Sequence, residues 1–182
     1  DLGQLQNADE LVSAVIKKFG RIDVLVNNGG ISQRSYAEET SLEIDRKIME
    51  VNYFGQIALT KAVLPEMIRR KSGHIVVMSS IAGKFGFYFR TAYAASKHAL
   101  QGFFEALRLE VEDRGIQVLI AVPWKIQSNI SLHALKGDGT AYALMDKSQE
   151  LGIHAAECAA LIFSAIKSCK EVILIGGREI KA

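Results

Sequence analysis

The chain has 182 residues, 49% hydrophobic and 23% charged, which suits one domain with a sizeable core and excludes a disordered chain. Its 22 basic and 20 acidic residues are scattered, for a formal net charge of +2, and no basic block exceeds Arg69 to Lys71, so a nucleic-acid partner is not expected. No apolar run reaches the roughly 18 residues that span a bilayer, and Cys158 and Cys169 lie about 16 Å apart on a helical pattern, beyond disulfide reach; a reduced, cytoplasmic protein without a membrane segment is expected.

A helical pattern opens the chain, NADELVSAVIKKFG, with Asn7 or Asp9 as cap and Gly20 as stop. Residues 22–26 (IDVLV) then form a Val- and Ile-rich run without polar alternation, as a strand covered on both faces reads. Residues 74–79 (HIVVMS), 116–122 (IQVLIAV) and 171–176 (EVILIG) read the same way. After the first run, VLVNNGGISQRS (24–35) offers a backbone that can approach a flat ligand, with side-chain amides to tie strand ends together; a plain strand-to-loop turn is the alternative. The helical stretch 41–71 contains Pro65, which should bend it, and Asn52, a poor helix former with no local reason to be there. Further helical patterns cover 91–113 and 154–168. The loosest segment, 131–152, has turn chemistry at Gly137, Asp138 and Gly139 and is placed to carry a substrate loop. Alternation of strand and helix predicts an α/β fold, a parallel sheet with helices on both faces. The first strand would lack a partner on one side, so the sheet reads as incomplete.

The segment TAYAASKHAL (91–100) sets Tyr93 and Lys97 one helical turn apart. Roughly 0.4 such pairs arise by chance in a chain of this composition, so a half-buried core tyrosine beside a solvated lysine accounts for the pair alone. Requiring Ser80, thirteen positions earlier, lowers the expectation to roughly 0.03. Carbonyl reduction asks for such a triple: a proton donor on the oxygen, a second hydrogen bond to polarise it, and a nearby cation. A free tyrosine titrates near pH 10, so acid–base work at neutrality asks the site for roughly 4 kcal/mol, and the Lys97 ammonium can stabilise the phenolate. His74, His98, His133 and His154 are dispersed, and no metal site is expected.

Together these residues resemble the short-chain dehydrogenase/reductases, over the chain from Asp1 to about Gly177. Asn27, Asn28, Gly29 and Gly30 match the family's Asn-Asn-Ala-Gly, and Asn52, Ser80, Tyr93 and Lys97 match its catalytic tetrad at the expected separations. NNGGISQRS, NYFGQIALTKAVLPEMI and YAASKHALQGFFEALR are most similar to the branch called dehydrogenase/reductase member 7. The resemblance implies a Rossmann-like doubly wound sheet and a hydride supplied by NAD or NADP. Tyr93 would donate or accept the proton, Ser80 would hold the substrate oxygen, and Lys97 would lower the tyrosine's pKa while binding the nicotinamide ribose. Asn52 would hold a water that relays protons from Lys97. Asp1 and Leu2 would contact the adenine; Asn28, Gly29 and Gly30 would line the cofactor; Ile126 and Ser128 would sit near its carboxamide and phosphates. A homodimer or homotetramer built on the helices of 41–71 and 91–113 is implied as well.

Two departures stand out. The family's Thr-Gly-x-x-x-Gly-x-Gly turn has no counterpart, and by analogy roughly 60 residues are expected ahead of Asp1, making 1–182 one Rossmann domain without its amino-terminal glycine-rich portion. Pro123-Trp124 stands where the family has Pro-Gly; an indole adds bulk beside the nicotinamide and resists positive φ, so weakened or altered cofactor binding is expected. The expected function is an oxidoreductase interconverting a secondary alcohol and a ketone or aldehyde. The alternatives are an epimerase or dehydratase using the same Tyr-x-x-x-Lys, and a non-catalytic relative serving as a binding or scaffolding module. Phe85, Phe87, Tyr88, Phe89, Leu132 and Leu135 suggest an apolar carbonyl substrate.

Overall fold

Successive side chains of a strand point to opposite faces, so a strand without polar alternation needs a packed layer on each side. The strand Gly73–Met78 (β2) has both: Ile75 and Val77 join one core, Val76 and Met78 join others, and all four are buried. The computed structural model describes residues 1–4 and 7–177, so positions 178–182 of the expected domain lie outside the described residues. Among the described residues four parallel strands run in the order β1-β2-β3-β4, the others being Val24–Asn27 (β1), Ile116–Pro123 (β3) and Val172–Ile175 (β4). The register sets Asn27 opposite Val77, Met78 opposite Ala121 and Pro123 opposite Ile175, which aligns the carboxyl ends of the strands along one rim.

One face is covered by α1 (Ala8–Phe19), α3 (Gly55–Arg70) and α4 (Thr91–Val111), whose Val12, Met67, Leu100 and Phe104 pack on Ile75, Val77, Val118 and Ile120. Burying each of these large side chains contributes about 1.5–3 kcal/mol. The other face carries α6 (Ala155–Lys167), with Cys158 in the cluster of Met78 and Ala121, and Ala165 in that of Val76 and Leu119. The α/β sheet with helices on both faces, expected from the alternating runs, is what forms. Both cysteines are free, and among the described residues no helix is long and apolar enough to cross a membrane.

The stretch 41–71 departs from its reading as one helix bent at Pro65. It divides into α2 (Leu42–Met49) and α3, separated by a π-helical turn at Glu50–Phe54, while Pro65 lies inside α3 at the loss of one backbone bond. At the start of α1, Asn7 holds the cap position without a side-chain cap bond, whereas Gly20 ends the helix at φ 85° with its N–H on Ile16 O. The segment after β3 includes a short helix, α5 (Lys147–Glu150); a backbone bridge from Leu135 to Gln33 ties it to the loop after β1, and a second, from Leu135 to Ala141, folds it on itself.

Candidate active site

Ser80 follows the carboxyl end of β2, and Tyr93 and Lys97 occupy the first two turns of α4, so strand end and helix start bring the three to the wall of one cavity. All are buried, Lys97 being 4% exposed. The Ser80 hydroxyl oxygen accepts from Ala82 N at 3.1 Å, which orients it. Lys97 Nζ donates to Met78 O at 2.7 Å and lies 5.8 Å from the centre of the Tyr93 ring. Burial pulls the Lys97 pKa down to about 8. Contrary to the lowering expected from Lys97, burial pushes the Tyr93 phenol above its ordinary value, and it is the Ser80 hydroxyl and then the Arg90 and Arg34 guanidiniums that pull against that rise. A buried amine that changes charge near neutrality, beside a phenol held protonated, can take up and release protons during a reaction.

Asn52 lies fully buried in the π turn, a helical geometry that recurs at functional positions. Its Oδ1 accepts from Ile31 N at 2.8 Å, and its Nδ2 donates to Ile31 O and to Ser96 Oγ, each at 2.9 Å. Those bonds explain an asparagine at this point: it pins the loop after β1 to α4, one residue before Lys97. Gly30 fits closely beside it, for a Cβ there would stand 3.1 Å from Asn52 Oδ1 and 3.7 Å from Lys97 Nζ. Asn27 Nδ2 donates to Thr60 Oγ1 at 2.9 Å and Gln56 Nε2 to Gly29 O at 2.7 Å, which fastens the Asn-Asn-Gly-Gly turn to α3.

A cavity of about 670 Å³ opens over this rim, within the range of small-molecule and cofactor sites. Asn28, Tyr93, Lys97, Ile126 and Ser128 line it; Asp1, Leu2, Gly29 and Gly30 do not. The Asp1 carboxylate accepts from Gly3 N at 2.9 Å, and Leu2 packs against Gly29 and Gly55. The lining fits a nicotinamide nucleotide, with a phenol, an amine and an amide to meet its hydroxyls and Val26, Met78 and Ile126 to meet its flat ring. Trp124 lines this cavity and a second one of about 90 Å³ beside Ser80 and Tyr93. Its indole lies against Phe87, centroids 5.3 Å apart, and its backbone has no positive φ, so nothing in the main chain here requires glycine. Of the six residues expected to form an apolar substrate pocket, Phe87 alone lines either cavity. Phe85, Tyr88 and Phe89 are exposed, and Leu135 packs with Ile44 and Ile48.

Four further residues shape the site without a role that the local sequence pattern assigns them. Gln33, fully buried, accepts from Ala92 N at 2.9 Å through Oε1 and so holds the helix turn that carries Tyr93. Arg34 and Arg90 both donate to Asp146 Oδ2, at 2.6 and 2.8 Å. Partners so far apart along the chain, 59 positions for Gln33 and Ala92 and 112 for Arg34 and Asp146, leave no local periodicity to read. The polar run SQRS straight after Gly-Gly was the one usable signal.

Residues 1–137 match the family model described as short chain dehydrogenase. The mouse protein "Dehydrogenase/reductase SDR family member 7B" is 48% identical over 161 residues, which are 88% of this chain and 50% of that protein. Among solved structures, a short-chain dehydrogenase from Streptomyces avermitilis superposes with a TM-score of 0.84 at 32% identity, covering 100% of this chain and 70% of its own. The structure of ElxO with NADP bound gives a TM-score of 0.76 at 25% identity, covering 100% of this chain and 77% of its own. The chain spans about half the length of the curated relatives it matches.

Proposed function

This chain belongs to the short-chain dehydrogenase/reductase family, in its dehydrogenase/reductase member 7 branch, and from that premise we propose that it carries the proton-handling part of an NAD(P)-dependent oxidoreductase. The reaction proposed is the interconversion of a secondary alcohol and a ketone or aldehyde. The observation that carries the reading is the convergence of Ser80, Tyr93 and Lys97 on one cavity wall, two of them from a helix turn and one from a strand end. A bound nicotinamide would supply the hydride, which no side chain can. The chain's own groups then manage the oxygen. The Tyr93 phenol donates its proton to the developing alkoxide, and the Ser80 hydroxyl donates a hydrogen bond to the same atom. The Lys97 ammonium, close to the ring, stabilises the phenolate left behind and then returns a proton to it. Asn52 has both ends of its amide bonded within the protein, so its part in this reading is to hold the loop after β1 against α4 beside Lys97.

The substrate proposed is a carbonyl compound with an apolar portion lying along Trp124, Phe87 and Ile130, which border the smaller cavity. Assembly into a homodimer or homotetramer, as in the family, is part of the same proposal. The reading is tested in the protein extended at its amino terminus by the glycine-rich segment typical of the family. NADH and NADPH are titrated by nicotinamide fluorescence, and binding of neither would end it. Where binding occurs, Tyr93→Phe is expected to lower turnover on the order of a thousandfold with cofactor affinity nearly unchanged; retained turnover would remove Tyr93 from its role.

A further inference from the structure

The loop after β1, the turn before α4 and the segment 131–152 come from distant parts of the chain, yet one carboxylate joins all three. Asp146 Oδ2 accepts from Arg34 at 2.6 Å and from Arg90 at 2.8 Å, with the three side chains 17%, 6% and 26% exposed in that order. Arg34 also donates to Ser32 Oγ and Gln33 O, and its Nε is buried without a partner. Exposed ion pairs contribute little, but this carboxylate is half-buried and shared by two guanidiniums, one of them buried, so its removal leaves the Arg34 charge uncompensated. Burial pushes the Asp146 carboxyl up, and the bonds and charges of Arg34 and Arg90 more than offset this, so it stays ionised at neutral pH.

The backbone on both sides of the cluster is held in unfavourable geometry. Among the described residues, four other than glycine have positive φ. Lys71 and Cys169 follow the ends of helices, where that conformation is ordinary. The other two, Phe89 at 62° and Ala143 at 57°, stand one residue before Arg90 and three before Asp146. Such conformations cost on the order of 1–3 kcal/mol each and persist where surrounding contacts impose them. Backbone bonds from Arg34 N to Leu135 O and from Leu135 N to Ser32 O, both 2.8 Å, lay the segment along the loop. Asp146 then closes it beside the 90 Å³ cavity that Arg34, Arg90, Ser80, Tyr93 and Trp124 border, and Arg90 is three residues ahead of Tyr93.

We propose that Asp146 is a positioning residue that clasps segment 131–152 over the substrate cavity and, through Arg90, sets the start of the helix bearing Tyr93. The inference rests on the oxidoreductase reading for its kinetic consequence, but the clasp itself can be read without turnover. In the protein extended as above, Asp146→Asn is expected to speed trypsin cleavage after Lys136 and Lys147 at least tenfold. With phenanthrenequinone as carbonyl probe it should raise KM about tenfold, change kcat less and leave NADPH affinity unaltered, while Asp146→Glu restores most of both effects. Arg90→Gln, which keeps the Arg34–Asp146 pair and hence the fold, should move cleavage and KM in the same direction by a smaller factor. Unchanged cleavage in both variants, or a lowered melting temperature with cleavage spread over the whole chain, would overturn the clasp. Faster cleavage at the two lysines in a protein that turns over no carbonyl would uphold the clasp and count against the oxidoreductase reading instead.

Discussion

At the scale of single residues, the neighbours Lys97 and Tyr93 are driven by burial in opposite directions, the amine down and the phenol up. For Lys97 the unfolded chain holds the proton more tightly, so stability gained from this residue is complete above its ordinary value of 10.5 and is lost as pH falls through about 8. At pH 7 the penalty is fully present, about 3 kcal/mol by linkage, partly offset by the bond to Met78 O. Lys97→Met is therefore expected to raise urea-unfolding stability at pH 7 by about 1–3 kcal/mol, and the gain should shrink as pH approaches 10.5. A variant less stable at pH 7 would show that the folded state already compensates the ammonium. Keeping a destabilising lysine fits a residue retained for its chemistry. The spacing of Tyr93 and Lys97 was legible in the sequence because one helical turn is a local property; the commitment of the Asn52 amide to Ile31 and Ser96 was not, because it depends on where two other segments arrive.

Among the elements, the strands and helices follow from apolar runs and turn residues, and the structure departs from that pattern where the backbone changes helical type. A π turn keeps the 41–71 stretch helical in composition, so nothing in its side-chain pattern separates α2 from α3. Glycines at element ends give a sharper test. Gly20, after α1, has φ 85° with nothing within 4 Å of an added Cβ, whereas Gly115, before β3, has φ 78° and a Cβ there would stand 2.2 Å from Lys71 O at the end of α3. Gly20→Ala should cost about 1 kcal/mol, from backbone conformation alone. Gly115→Ala should cost about 3 kcal/mol or more, since a main-chain carbonyl must also move. Equal losses in urea unfolding would mean that α3 and β3 can part without penalty.

In the molecule as a whole, the described sheet ends at β1 and β4. Leu25 packs toward the core of α1, α3 and α4, but Val24 and Val26, on the opposite side, remain 41% and 49% exposed. The two-sided apolar reading of 22–26 thus meets one covered face and one open face, beside a row of unpaired backbone groups that favours pairing with another chain. The 182-residue chain is expected to self-associate with rising concentration in sedimentation velocity, and Val24→Lys to shift it toward monomer with little change in melting temperature. An unshifted distribution would place the association on another surface.

Periodicity, turn residues and fixed spacings act over a few positions, and these determined the parallel sheet with its two helical layers and the shared face of Tyr93 and Lys97. Ser80 could be matched to them only through the spacing of the family it resembles, since the loop between a strand end and a helix start has no fixed length. Everything that joins distant segments was decided by packing alone: the cap that Gln33 places on Ala92, the turn of Trp124 onto Phe87, and the carboxylate of Asp146 between Arg34 and Arg90. Such contacts leave no trace in local pattern, because each partner taken singly is an ordinary polar or aromatic residue whose role exists only once the chain has closed around it.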